Sequence, residues 1–297
     1  MTESMIGNKD TLIQKASLLR ITTKTLANTL QSGSFKSLYH GQGIEFSGVR
    51  EYLRGDDVRT IDWNVTARSG KPYVKIFEEE RELQIFLVID RSFSMQNGSK
   101  GKSKLHTALE TAALLTLAAE NNANPVGAVM FSGDIEFVCS PKSGATQTMI
   151  LLSQFDKMPE KTIRGSVLAN ALTGAGKILK KRSLVFVISD FRIKGWEDGL
   201  THLAQRHDVV CVKIGDPSDY NLPDVGAVPF TDPENGIRKI MPTNSKMFRA
   251  SWREDGRMRN QRFTDTCLKH GGYPLKISTT DDCLVSLTNF FMSRDVQ

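Results

Sequence analysis

The chain has 297 residues and a formal charge of +6, from 39 Lys and Arg against 33 Asp and Glu. That size suits one large α/β domain with additions, or two small domains, and the mix of apolar and charged residues is that of an ordinary soluble protein able to bury a core. No apolar run approaches the roughly 18 to 20 residues of a membrane span, the start MTESMIGNKD lacks the basic-then-apolar profile of a secretory leader, and the basic residues form no aromatic-interleaved stripe. A cytoplasmic protein with no membrane span and no nucleic-acid partner is therefore expected.

In chain order, Leu12, Ala16, Leu19, Leu26 and Leu30 mark an amphipathic helix. Its stripe suits packing on the body, a partner contact or a membrane surface. A charged segment of turns, strands and aromatic residues follows, and together these make an N-terminal extension over residues 1–80. From residue 83 the run LQIFLVID is apolar almost without a break and ends in a carboxylate, as a parallel strand buried on both faces would. Leu105, Leu109, Ala112, Leu115 and Ala119 then recur at helical spacing, and PVGAVMF at 125–131 reads as a second strand.

A short hairpin strand is expected at 135–138 after Ser132-Gly133-Asp134, and a helix over 146–155. Helices over 167–179 and 196–205 alternate with strands over 184–188 and 209–214. Residues 216–245, rich in Pro, Gly and Asp with DPENG as a turn, read as a hairpin insertion. A long charged helix over 246–270, a last strand over 274–277 and a closing helix over 283–292 complete a second domain, 81–297. Such alternation predicts an α/β fold with a doubly wound, mostly parallel sheet covered by helices. Cys139, Cys211, Cys267 and Cys283 lie far apart, outside the close pairs of zinc or redox motifs, and read as reduced thiols.

If the strand order is 3-2-1-4-5-6, the strands ending at Asp90 and Asp190 are neighbours where the order reverses, and both carboxylates face one crevice. The spacing Asp90-x-Ser92-x-Ser94 brings a carboxylate and two hydroxyls to one side of an extended loop. Hard oxygen donors with room for water suit magnesium. Asp and Ser also cap helices, so placement after the most apolar strand carries most of the argument.

At these residues the chain resembles the von Willebrand factor type A fold. That resemblance implies a metal-ion-dependent adhesion site formed by Asp90, Ser92, Ser94, Ser166 and Asp190, holding Mg2+ or Mn2+. Here Arg164-Gly165-Ser166 stands where the family has a Gly-Thr pair. The stretch from Gly43 through GIEFSGVREYLRGDDVRTIDWNVTARSGKPYVKIFEEERE is similar to the signature of the domain of unknown function family 58. With LPDVGAVPFTDPENG, that similarity covers the chain from about residue 36 onward. It implies a non-enzymatic adaptor or co-chaperone for a MoxR-type AAA+ ATPase and its protein clients, while the type A resemblance implies a last helix, over 283–292, able to move with the metal loop. Within the signature, Arg50, Glu51, Asp56, Asp57, Arg59, Asp62, Trp63 and Arg68 predict a charge-assisted network around an aromatic anchor.

Two other classes compete. A magnesium-dependent hydrolase or phosphotransferase would use Asp90 as nucleophile, but the second carboxylate such enzymes place two residues later is here Ser92. A basic nucleic-acid-binding protein would show steep salt dependence and indifference to Asp90. There is no GxxxxGK[ST] phosphate loop, and the five histidines form no HExxH pattern.

Overall fold

A strand that is apolar at every position can be stable only between two layers, and that requirement organises the chain. The computed structural model describes residues 44–53, 56–79, 83–157, 167–231 and 238–294. The amphipathic pattern at 12–30, Ser166 and the DPENG turn lie outside these described residues. Close packing divides the described residues into two units, a smaller one up to residue 79 and a larger one from Leu83 onward.

In the smaller unit, β1 (Ile44–Glu51) pairs antiparallel with β2 (Tyr73–Glu79). Between them lie a 3-10 turn (Val58–Thr60) and α1 (Trp63–Ser69). The acidic residues of the signature act as caps: Asp57 accepts from the Arg59 amide, and Asp62 from the amides of Asn64 and Val65, filling orphan donors at a helix start. Gly70 closes α1 in the left-handed conformation, φ 71°. Arg50 grips Asp56 with both nitrogens, at 2.6 and 2.8 Å, and Lys71 pairs with Glu51 at 3.1 Å. That grip, chiefly its hydrogen bonds, holds the Asp56 carboxyl down at about 2. The expected aromatic anchor is absent from this network: Trp63 is 68% exposed, because the capped helix turns its first residue outward.

In the larger unit, β3 (Gln84–Asp90) is the central strand, and its two faces feed two different cores. Ile85, Leu87 and Ile89 pack with α2 (Lys104–Asn121), α3 (Ala145–Phe155) and α7 (Cys283–Arg294). Phe86 and Val88 pack with α4 (Leu168–Ile178), α5 (Glu197–Ala204) and the inner face of α6 (Lys246–Lys269). The six-stranded sheet also contains β4 (Val126–Phe131), β5 (Ile135–Lys142), β6 (Ser183–Ser189), β7 (Asp208–Gly215) and β10 (Gly272–Ser278). Its order is β10-β7-β6-β3-β4-β5, which is the doubly wound order expected, with only β5 antiparallel.

The hairpin strand β5 runs four residues past the expected 138, to Lys142. Its irregular register opposite Val126 and Ala128 brings the Cys139 carbonyl so close to Gly127 that a Cβ there would lie 2.6 Å from it. The insertion forms an antiparallel pair, β8 (Ala227–Thr231) and β9 (Arg238–Pro242). All four cysteines are free thiols, three of them buried.

Candidate metal centre at the carboxyl ends of the strands

Strands β3 and β6 run side by side with Ile89 opposite Ile188, so Asp90 and Asp190 leave the sheet at the same end. After Asp90 the chain tightens into a 3-10 turn, Phe93–Gln96. Met95 drops fully into the core while Phe93 stays exposed, which turns Ser92 and Ser94 inward. Their hydroxyls lie 3.1 Å apart. The Ser92 amide donates to one Asp90 carboxylate oxygen at 2.9 Å, and the Ser189 hydroxyl donates to the other at 2.6 Å.

Beyond these two donors, Asp90 has no cation within ion-pair reach among the described residues. Arg91, next in sequence, pairs instead with Glu136 at 3.3 Å and donates to the Lys157 carbonyl. Burial first, and then repulsion from Asp190, push the Asp90 carboxyl up to about 6 against the pull of Ser189 and Ser92. A buried carboxylate without a counter-ion is costly, and such groups ordinarily pair or coordinate.

Asp190 is in the opposite condition. Its Oδ2 is 3.4 Å from Lys104 Nζ and 3.6 Å from Arg192 Nε, and its Oδ1 accepts from the Arg192 amide at 3.2 Å. Lys104 also reaches Asp219 at 3.3 Å, and Arg192 pairs with the same Asp219. Two cations and two carboxylates thus form an ion-paired group beside Asp90, and Lys213 lies near enough to interact with both carboxylates. Phe191 fixes the turn that builds it, adopting φ 51° and packing its ring 4.9 Å from both Trp196 and Phe263. A bulky side chain in the left-handed region costs about 1 to 2 kcal/mol, which this aromatic packing offsets.

Lys104 is aimed by the loop before it. Gly98 sits so close to the Lys102 carbonyl that a Cβ would fall 2.0 Å from its oxygen, and the loop closes with the Lys104 amide on the Asn97 carbonyl at 2.9 Å. Ser103 then caps α2 through the His106 amide.

Of the residues expected from the spacing, the strand order and the family resemblance, Asp90, Ser92, Ser94 and Asp190 stand together at one end of the sheet; Ser166, expected from the resemblance alone, is outside the described residues. No cluster of three or more His, Cys, Asp or Glu suited to a metal occurs among the described residues. A cation here would therefore rely on one unpaired carboxylate, two hydroxyls and water. That donor set is hard and fits Mg2+ or Mn2+, which commonly keep several waters. Lys104, Ser189, Arg192 and Asp219 complete the site without having been singled out by spacing. Lys104 alone carried a signal: a lysine at the first position of an apolar helix opposes the helix dipole.

The family model described as "Protein of unknown function DUF58" matches residues 48–262. An uncharacterized protein of Mycobacterium tuberculosis is 30% identical over 279 residues, covering 93% of this chain and 87% of its own. Among solved structures, the conserved hypothetical protein BatB of Bacteroides thetaiotaomicron is 13% identical with a TM-score of 0.45, over 72% of this chain and 98% of its own. The VWA domain of SpRpn10 is 14% identical with a TM-score of 0.38, over 71% and 95%. No helix among the described residues is long and apolar enough to cross a membrane.

Proposed function

The chain belongs to the DUF58 family, and from that premise we propose that the unit from Leu83 onward is a non-enzymatic, metal-dependent protein-binding module. Asp90, Ser92 and Ser94 hold Mg2+ or Mn2+, with Asp190 behind them and Ser166 as a further hydroxyl. The bound ion supplies an open position to which an acidic side chain of a partner can attach. The observation that supports this reading most is the condition of Asp90, a buried carboxylate with two hydrogen-bond donors and no described counter-ion. The partner expected from the family resemblance is a MoxR-type AAA+ ATPase with its protein clients, for which this chain acts as adaptor.

The same geometry speaks against aspartyl-phosphate chemistry, because Ser92, two residues after Asp90, is bonded to Ser94 and cannot act as general acid and base near neutral pH. A pull-down from the source cell tests the adaptor reading, run with magnesium or EDTA on wild type and Asp90→Ala. An AAA+ ATPase retained only by wild type with magnesium supports it. Retention indifferent to both metal and Asp90 overturns it.

A further inference from the structure

Lys104 is placed against two general preferences at once. Its side chain is 3% exposed, although an ammonium is costly to bury, and it stands at the positive end of α2. Among the described residues, Asp190 and Asp219, at 3.4 and 3.3 Å, are the carboxylates that offset that cost. Arg192, from the partly exposed edge, reaches the same two carboxylates. A shell built only to capture a divalent ion would leave both Asp90 and Asp190 free; here one is free and the other is doubly compensated.

We propose that Lys104 sets how this site holds its cation. With Arg192 it keeps Asp190 neutralised and out of direct coordination, so that Asp90 is the one full negative charge offered to a divalent ion. The bound ion then stays under-neutralised and takes a carboxylate from a partner as its second anion. The inference rests on the metal-dependent reading above and deepens it: Lys104 exchanges metal affinity for affinity toward an acidic group. Were Lys104 only a structural ion pair, its removal would lower stability and leave metal affinity unchanged or weaker. Under the proposal its removal tightens the metal, because Asp190 becomes available and a positive charge beside the ion is gone.

The test is Mn2+ titration of the full chain by electron paramagnetic resonance, with fold checked by circular dichroism. Wild type, Lys104→Met and Arg192→Gln are compared, each with and without Asp90→Ala. Arg192→Gln removes a charge from the rim of the same group and keeps the backbone donor to Asp190, so the question remains answerable if Lys104→Met does not fold. The expected result is Mn2+ binding at least tenfold tighter than wild type in Lys104→Met, tighter in the same direction in Arg192→Gln, and abolished by Asp90→Ala throughout. Wild type that binds Mn2+ through Asp90, beside folded variants that bind it equally or more weakly, overturns the role of Lys104 alone. Loss of Asp90-dependent binding from all three backgrounds overturns the metal reading, and this inference with it.

Discussion

Of the three buried aspartates that stand at carboxyl ends of strands among the described residues, Asp90 and Asp216 are treated in opposite ways. Asp216, just past β7, is 1% exposed and accepts four hydrogen bonds, from the Ser99 amide at 3.0 Å, the Ser218 amide at 2.9 Å, the Ser218 hydroxyl at 2.5 Å and the Thr279 hydroxyl at 2.7 Å. Burial would raise its carboxyl, but these donors overcome that and hold it well below the usual carboxylate range. Asp90, 2% exposed, has two donors, and its carboxyl is pushed up instead. One carboxylate is saturated and ties three loops together; the other is left wanting. Residue type and burial alone therefore do not identify a site, whereas unmet hydrogen-bonding and charge do.

This contrast should appear most strongly as opposite signs in stability. Replacing Asp216 by Ala strands donors from three loops, and we expect a loss of about 4 kcal/mol in urea unfolding. Its contribution is present above the unfolded carboxyl range and is lost as pH falls through about 4 and below, since the folded value is depressed. Asp90→Asn should do the reverse in metal-free buffer. The folded Asp90 carboxyl is raised from 3.8 to about 6, so the folded state holds its proton more tightly than the unfolded state. The cost of ionising it is absent below pH 4, grows between 4 and 6 and is complete above, reaching about 3 kcal/mol. Asp90→Asn is thus expected to be more stable than wild type by about that amount at pH 7 in EDTA, and equal to it at pH 4. The amide nitrogen can face Ser189, whose hydroxyl reverses to accept.

A smaller effect separates holding the ion from holding the fold. Ser189 orients one Asp90 oxygen from behind, and Ser189→Ala should weaken Mn2+ binding about tenfold, as loss of a partner behind a ligand commonly does. The smallest change is a control away from both carboxylates. Ala123 follows α2 at φ 55°, and Ala123→Gly should gain about 1 kcal/mol of thermal stability and leave Mn2+ affinity untouched.

The elements of the larger unit were legible because each carries a periodic signal. The run LQIFLVID announces a strand buried twice over, and the 3.6-residue spacing from Leu105 to Ala119 announces the helix that covers it. The adjacency of Asp90 and Asp190 followed from strand order. What could not be read is the charge balance around them. Asp219 joins the site from 29 residues beyond Asp190, through an ion pair with Lys104 that no local pattern encodes. Trp63 was misplaced for a related reason: a tryptophan among charges suggests an anchor, but only the capping geometry of α1 shows which way it faces. Spacing reveals faces, whereas pairing between distant polar groups is decided by the fold.

The central claim is that Asp90 is left without a counter-ion because a divalent cation supplies one. Mn2+ titration of wild type and Asp90→Asn at pH 7.5, followed by electron paramagnetic resonance, tests it most directly. The account predicts one ion bound per wild-type chain, none per Asp90→Asn chain, and a wild-type affinity that weakens as pH falls below about 6, where protons begin to compete with the metal for Asp90. Equal binding by the two proteins, or no binding by either, would contradict it.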